Sequence, residues 1–189
     1  MHSRRIILGI SGASGAVYGV ELLKALKAAG VETHLIVTKT AQITLAHETD
    51  YSLAKVQKLA DHFYSNNDMA AAVASGSFKT EGMIIAPCSM RTLAEIATAH
   101  ASTLLTRTAD VCLKERRRLV LLPRETPLHS IHLRHMLTLS DMGVIIAPPM
   151  PAFYSKPESV DGLVKHTVGR VLDLFEIEHT LVKRWEGVS

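Results

Sequence analysis

Five short runs dense in isoleucine, leucine and valine recur along the chain, and segments with apolar residues at helical spacing separate them. The runs cover residues 6–10 (IILGI), 32–38 (ETHLIVT), 83–86, 119–122 and 144–147. The predicted helices cover 17–29, stopped by Gly30, then 39–48, 89–99, about 104–115, 128–140 and a closing 160–175. A strand that is apolar at nearly every position is buried on both faces. Strands of that kind alternating with helices make a parallel sheet covered on both sides. The expected fold is therefore α/β, a three-layer Rossmann-like (flavodoxin-like) doubly wound parallel sheet, as a single domain over residues 1–189. A length of 189 residues suits one such core. Residues 61–79 show no period and are expected to be a surface loop, and the proline-rich 147–158 cannot be regular helix.

Several function classes are excluded or weakened. Two cysteines, Cys88 and Cys112, cannot make a disulfide framework and fit a reducing cytoplasm. The apolar run after MHSRR is short and ends in glycines, so it reads as a first strand rather than a targeting signal. No stretch reaches the roughly 18 apolar residues of a membrane span. Net charge is +3, and within the KERRR run at 114–118 Arg116, Arg117 and Arg118 are read mainly as a solvated or interface patch. With aromatics at 5%, a stacking platform for nucleic acid is not expected.

In an open parallel sheet, ligands bind beyond the carboxyl ends of the strands, so the segments just after each run carry the chemistry. The first is Gly12-Ala13-Ser14-Gly15, which is either a phosphate-cradling loop ahead of a helix or a plain tight turn. The third glycine of a dinucleotide fingerprint is missing. Thr38 also stands where a carboxylate would hold a ribose diol, and both points argue against NAD. In PCSM, Ser89 or Thr92 can cap a helix, and Cys88 and Met90 would line the same crevice, with a buried structural thiol as the plainer reading of Cys88. Arg107 and Lys114 lie seven apart, on one helical face, and Arg124 and Glu125 follow a strand. Arginine and lysine converging from separate segments suit an oxyanion. His129, His132 and His135 span about 120° of a helix and are better read as a subunit-contact or solvent face than as a metal site. Glu48 is either a general acid/base aimed into the crevice or a surface glutamate. Tyr154, Arg170 and Trp185 carry no local pattern.

Taken in order, GISGASGAVYG, HETD, PCSM, RTADVCLKERRRLVLLPRE, SIHLRHML and PPMPAFY resemble the UbiX-type flavin prenyltransferases over nearly the whole chain. The resemblance implies a homododecamer. It implies transfer of a dimethylallyl group from dimethylallyl monophosphate to reduced FMN, at flavin atoms N5 and C6. The product, prenylated FMN, would serve a UbiD-type decarboxylase. Carried over by motif, the FMN contacts are Gly12, Ala13, Ser14, Thr38, Ser89, Met90, Thr92 and Arg124. The donor contacts are Arg107, Lys114, Glu125, Tyr154 and Arg170, with Trp185 offering an aromatic face to an allylic cation. Glu125 is the first candidate for moving a proton, with Ser14 as relay and Glu48 in reserve. No acidic magnesium motif is present and no metal is expected. The family usually has Ser where Thr38 stands and often PCST where this chain has PCSM, a variant of the branch that accompanies phenolic-acid decarboxylases. The C-terminus after Trp185 is also shorter than in many members. Two other readings stand beside this one: an FMN-dependent oxidative decarboxylase of cysteinyl substrates, which shares the fold, and a non-catalytic FMN carrier subunit.

Overall fold

A computed structural model describes residues 4–182. Six strands form one all-parallel sheet: β1 (Arg5–Ile10), β2 (Glu32–Val37), β3 (His62–Ser65), β4 (Gly82–Cys88), β5 (Arg118–Pro123) and β6 (Ile145–Ile146). Their order is β3-β2-β1-β4-β5-β6, that of a doubly wound Rossmann sheet. The helices are α1 (Ala16–Ala28), α2 (Lys39–Glu48), α3 (Leu53–Gln57), α4 (Met90–Ala97), α5 (Leu104–Lys114), α6 (Ser130–Asp141) and α7 (Val160–Asp173).

Side chains alternate across each strand, so the apolar runs feed two cores at once. Ile6, Leu8 and Ile10 pack with α1, α2, α3 and α7, as do Leu35, Ile84 and Val120. Ile7, Ile36, Met83, Ile85 and Leu121 pack with α4, α5 and α6 on the other face. This is the two-sided burial that the unbroken Ile/Leu/Val runs imply.

Three features depart from the sequence expectations. Residues 62–65, expected within a loop, form β3, an edge strand paired in register with β2. The short α3 had no counterpart in the reading of the sequence. Arg117, read as part of a solvated patch, is half-buried and donates to the Phe78 carbonyl at 2.7 Å and the Gly76 carbonyl at 2.5 Å. It straps the irregular 66–79 segment to the sheet. Arg118 lies over the Phe175 ring, 5.6 Å from its centroid.

Gly19 marks the closest approach of α1 to the sheet. A Cβ there would fall 2.6 Å from the Ala86 carbonyl oxygen and 2.7 Å from Ile10 Cδ1. Because one obstacle is backbone, the helix itself must shift. Gly19→Ala is expected to destabilise the protein by about 1–3 kcal/mol despite the better helix propensity of alanine, read as a lower denaturant midpoint at unchanged slope.

Candidate active site

The chain winds to one side from β1 to β2 and β3, and to the other from β4 to β6. The point of reversal lies between β1 and β4. There Ser11, fully buried, joins the two halves. Its hydroxyl donates to the Pro87 carbonyl at 2.9 Å and accepts from the Ser89 N–H at 2.7 Å, while its own N–H reaches Pro87 at 3.2 Å. The loops after β1, β2 and β4 thereby enclose a crevice of about 370 Å³ walled by Gly12, Thr38, Thr40, Asn66, Ser89 and Thr92 with their neighbours. Four of the sequence candidates, Gly12, Thr38, Ser89 and Thr92, therefore meet in one cavity, and its size is that of a small-molecule site.

Hydroxyls arrange two helix starts around it. Thr38 caps α2 through the Ala41 N–H at 3.2 Å. Ser89 caps α4 through the Thr92 N–H at 3.2 Å and donates to the Thr92 hydroxyl at 3.1 Å. The N–H groups of Met90 and Arg91, in the first turn of α4, precede any intrahelical partner, and a helix start of this kind favours an anion. The Met90 side chain packs into the core, so its backbone is what it offers the crevice. Polar hydroxyls and an anion-favouring helix start fit a phosphorylated planar ligand such as FMN.

At the start of α1, where a phosphate cradle and a plain tight turn were both open, Glu48 at the end of α2 accepts from Gly15 N–H at 2.7 Å and Ala16 N–H at 3.0 Å. Gly15 makes this possible with a left-handed backbone, φ 103°. Partial desolvation raises the Glu48 pKa. Hydrogen bonds from the Gly15 backbone, the Ser14 side chain and the Ala16 backbone, with the charge of Arg124, outweigh it and hold the carboxyl below its ordinary range. Glu48 is thus an exposed, anionic carboxylate at the end of α2, tied to Ser14 and to the α1 turn. Ala13 lies in the same loop, its N–H on the Ser11 carbonyl. Arg124 is exposed, with its N–H bonded to the Cys88 carbonyl. Glu125 is exposed and accepts from Thr126 N–H at 3.0 Å.

The remaining candidates lie elsewhere within the chain. α5 starts at the crevice, where Asn66 accepts from the Leu104 and Leu105 N–H groups, and descends toward the beginning of β5. Arg107, one turn in, pairs with Asp110 at 2.7 Å. Lys114, at the far end, pairs with Glu115. The length of β5 alone separates the carboxyl and amino ends of the sheet by about 20 Å. Tyr154 is hydrogen-bonded to His166 at 3.0 Å, and Arg170, one turn further along α7, pairs with Asp173 at 2.7 Å. Trp185 lies outside the described residues. Burial pushes the Cys88 thiol far up and the Cys112 thiol up to about 12, which leaves neither as a thiolate nucleophile. His129 caps α6 and stacks on His132 at 3.5 Å. Neither Ser11, just after the first apolar run, nor Asn66, in the segment read as loop, was singled out as a site residue from the sequence.

Fold and crevice together define a doubly wound α/β protein built to hold a phosphorylated ring at its switch point. The family model described as Flavoprotein matches residues 1–172. The chain is 57% identical over 185 residues to a probable UbiX-like flavin prenyltransferase of Bacillus subtilis (strain 168), covering 98% of this chain and 91% of that one. The solved structure of AnUbiX in complex with FMN and dimethylallyl pyrophosphate is 50% identical, with a TM-score of 0.98 and full coverage of both chains. A dodecameric FMN-dependent UbiX-like decarboxylase from Escherichia coli O157:H7 is 54% identical, with a TM-score of 0.95, covering 97% of this chain and 100% of that one. The chain belongs to the UbiX flavin prenyltransferase family.

Glu48 also links the site to stability. A carboxyl whose folded pKa is depressed stabilises the fold above its unfolded pKa, and the contribution is lost as pH falls through the folded value. Glu48→Gln is therefore expected to lower the melting temperature at neutral pH. The gap to wild type should close as pH falls below the ordinary 4.5 of a glutamate, followed by thermal unfolding across pH 7 to 3.

Proposed function

We propose that the chain joins a dimethylallyl group from dimethylallyl monophosphate to reduced FMN, and that its site is completed where a second copy brings cationic groups against the crevice. The observation that carries this is where the donor contacts lie. The crevice is lined by hydroxyls, a helix start, Lys39 and Arg91, beside the turn that Glu48 holds, while Lys114 and Arg170 lie on other parts of the chain. Exposed Ile131, Leu133 and Leu137 on α6 supply apolar surface for such assembly. A homododecamer accords with the dodecameric relative.

Reduced FMN supplies the ring atoms that accept the prenyl group. Ser89, Thr92 and the start of α4 hold its phosphate, and Gly12 to Ser14 and Thr38 border the ring. Arg107, Lys114, Arg170 and Tyr154 hold the donor phosphate and stabilise it as it leaves, which is electrostatic work that needs no metal. Glu125 takes the proton released from flavin C6, with Ser14 as relay and Glu48, hydrogen-bonded to Ser14, in reserve. The product, prenylated FMN, passes to a UbiD-type decarboxylase. Two buried free thiols suit a cytoplasmic setting. Among the described residues, no helix is long and apolar enough to cross a membrane.

Anaerobic incubation with reduced FMN and dimethylallyl monophosphate, followed by mass analysis of the extracted flavin, tests the reading. A gain of one C5 unit is expected, and the rate should fall about 100-fold or more in Ser14→Ala and in Lys114→Ala. Mixed assemblies of those two variants should regain part of the rate, because some crevices would then receive an intact loop and an intact lysine. Failure to regain it in verified mixed assemblies overturns the shared site. Unmodified FMN bound to folded wild type would favour the carrier reading.

A further inference from the structure

The start of β2 carries a cluster that the prenyl chemistry does not use. Glu32 and His34 are two residues apart and so share a face of the strand. His62, on the edge strand β3, is the direct register partner of His34. One ligand atom from each of the three lies within 4.8 Å of the others. His34 Nε2 is 3.0 Å from Glu32 Oε1, and His62 Nε2 is 3.5 Å from the same oxygen. We propose that Glu32, His34 and His62 bind a zinc-class divalent cation that clips edge strand β3 to β2, about 13 to 20 Å along the strand from Thr38.

The donor set is two imidazole nitrogens and one carboxylate oxygen, which suits zinc and its first-row neighbours better than magnesium or calcium. The surroundings of His34 are those of a held ligand. Its ring is 2% exposed, and Nδ1 lies 3.0 Å from the Tyr64 hydroxyl. That hydroxyl can donate or accept, so the neutral imidazole can carry its proton on either nitrogen. With the proton on Nδ1, Nε2 turns a lone pair toward the Glu32 carboxylate, and a cation between them removes the repulsion of two acceptors. His62, with 53% of its side chain exposed, gives the site an opening to solvent for entry and for a water ligand.

One interaction opposes the cation. Arg5 Nε donates to both Glu32 oxygens at 3.1 Å, and the guanidinium lies over Phe78, 5.4 Å from its centroid. Before a metal enters, one positive charge therefore already offsets the carboxylate. The site should be weaker than a three-ligand site with an unpaired carboxylate, and removing the arginine should strengthen it. Phe78 also packs edge-on to His34 at 5.0 Å. A cation here would brace the 66–79 segment strapped by Arg117, whose Gly76 lies against Lys114 and Glu115.

The test uses the full chain stripped with a chelator and titrated with zinc ion against a chromophoric indicator, alongside melting curves. One zinc per chain is expected, with a Kd of about 10 μM or tighter. At about 100 times that Kd the melting temperature should rise by roughly 5 °C or more. Affinity should fall at least about tenfold in His62→Ala and in Glu32→Gln and rise in Arg5→Gln. Metal-free melting of His62→Ala, a surface variant, confirms that it is folded. Absence of stoichiometric zinc binding overturns the proposal. So does binding that survives both His62→Ala and Glu32→Gln, or that is lost instead in His129→Ala, where the stacked His129–His132 pair would be the holder.

Discussion

One buried hydroxyl joins the halves of the sheet where the winding reverses. Ser11 bonds the carbonyl of Pro87 and the N–H of Ser89, so the loop after β1 and the loop after β4 move as one body. The crevice walls depend on that link. It sets Gly12 opposite Ser89 and aims the start of α4 into the gap. A buried hydroxyl left unpaired would be expensive, and here its donor and acceptor capacities are both used.

Charge is divided around that core. The N-terminal turn of α1 receives its anion from the protein itself, in Glu48, and α4 is left to receive one from outside. The cationic residues sit in ion pairs of their own, Arg107 with Asp110, Lys114 with Glu115 and Arg170 with Asp173. In the proposed chemistry each would exchange its carboxylate partner for the donor phosphate. Within one chain such groups are spread over both ends of the sheet, and for this reason assembly belongs to the proposed chemistry.

Legibility in the sequence followed burial. β1, β2, β4 and β5 are covered on both faces, so their runs of Ile, Leu and Val stand out. β3 does not: as an edge strand with the residues His62-Phe63-Tyr64-Ser65, it has an exposed histidine and serine and takes its structure from pairing with β2 rather than from its own pattern. The loops that line the crevice were visible because parallel topology places them after the strands. Glu48 was ambiguous because its role comes from a contact 33 residues away. Arg117 looked like its charged neighbours because only the carbonyls of an irregular segment distinguish it. Tyr154 and Arg170 were singled out by family resemblance alone, whereas helical spacing had already set Lys114 on one face with Arg107.

The carboxylate on α1 has a consequence for ligand capture. A glycine-rich loop that waits for an external phosphate must be ordered by it, and the entropy of ordering is then subtracted from affinity. Here the tether from α2 holds the Gly12–Gly15 turn in shape beforehand. In the proposed reaction binding would therefore start from a preorganised wall, with the same loop surface met by an incoming flavin and by a departing product.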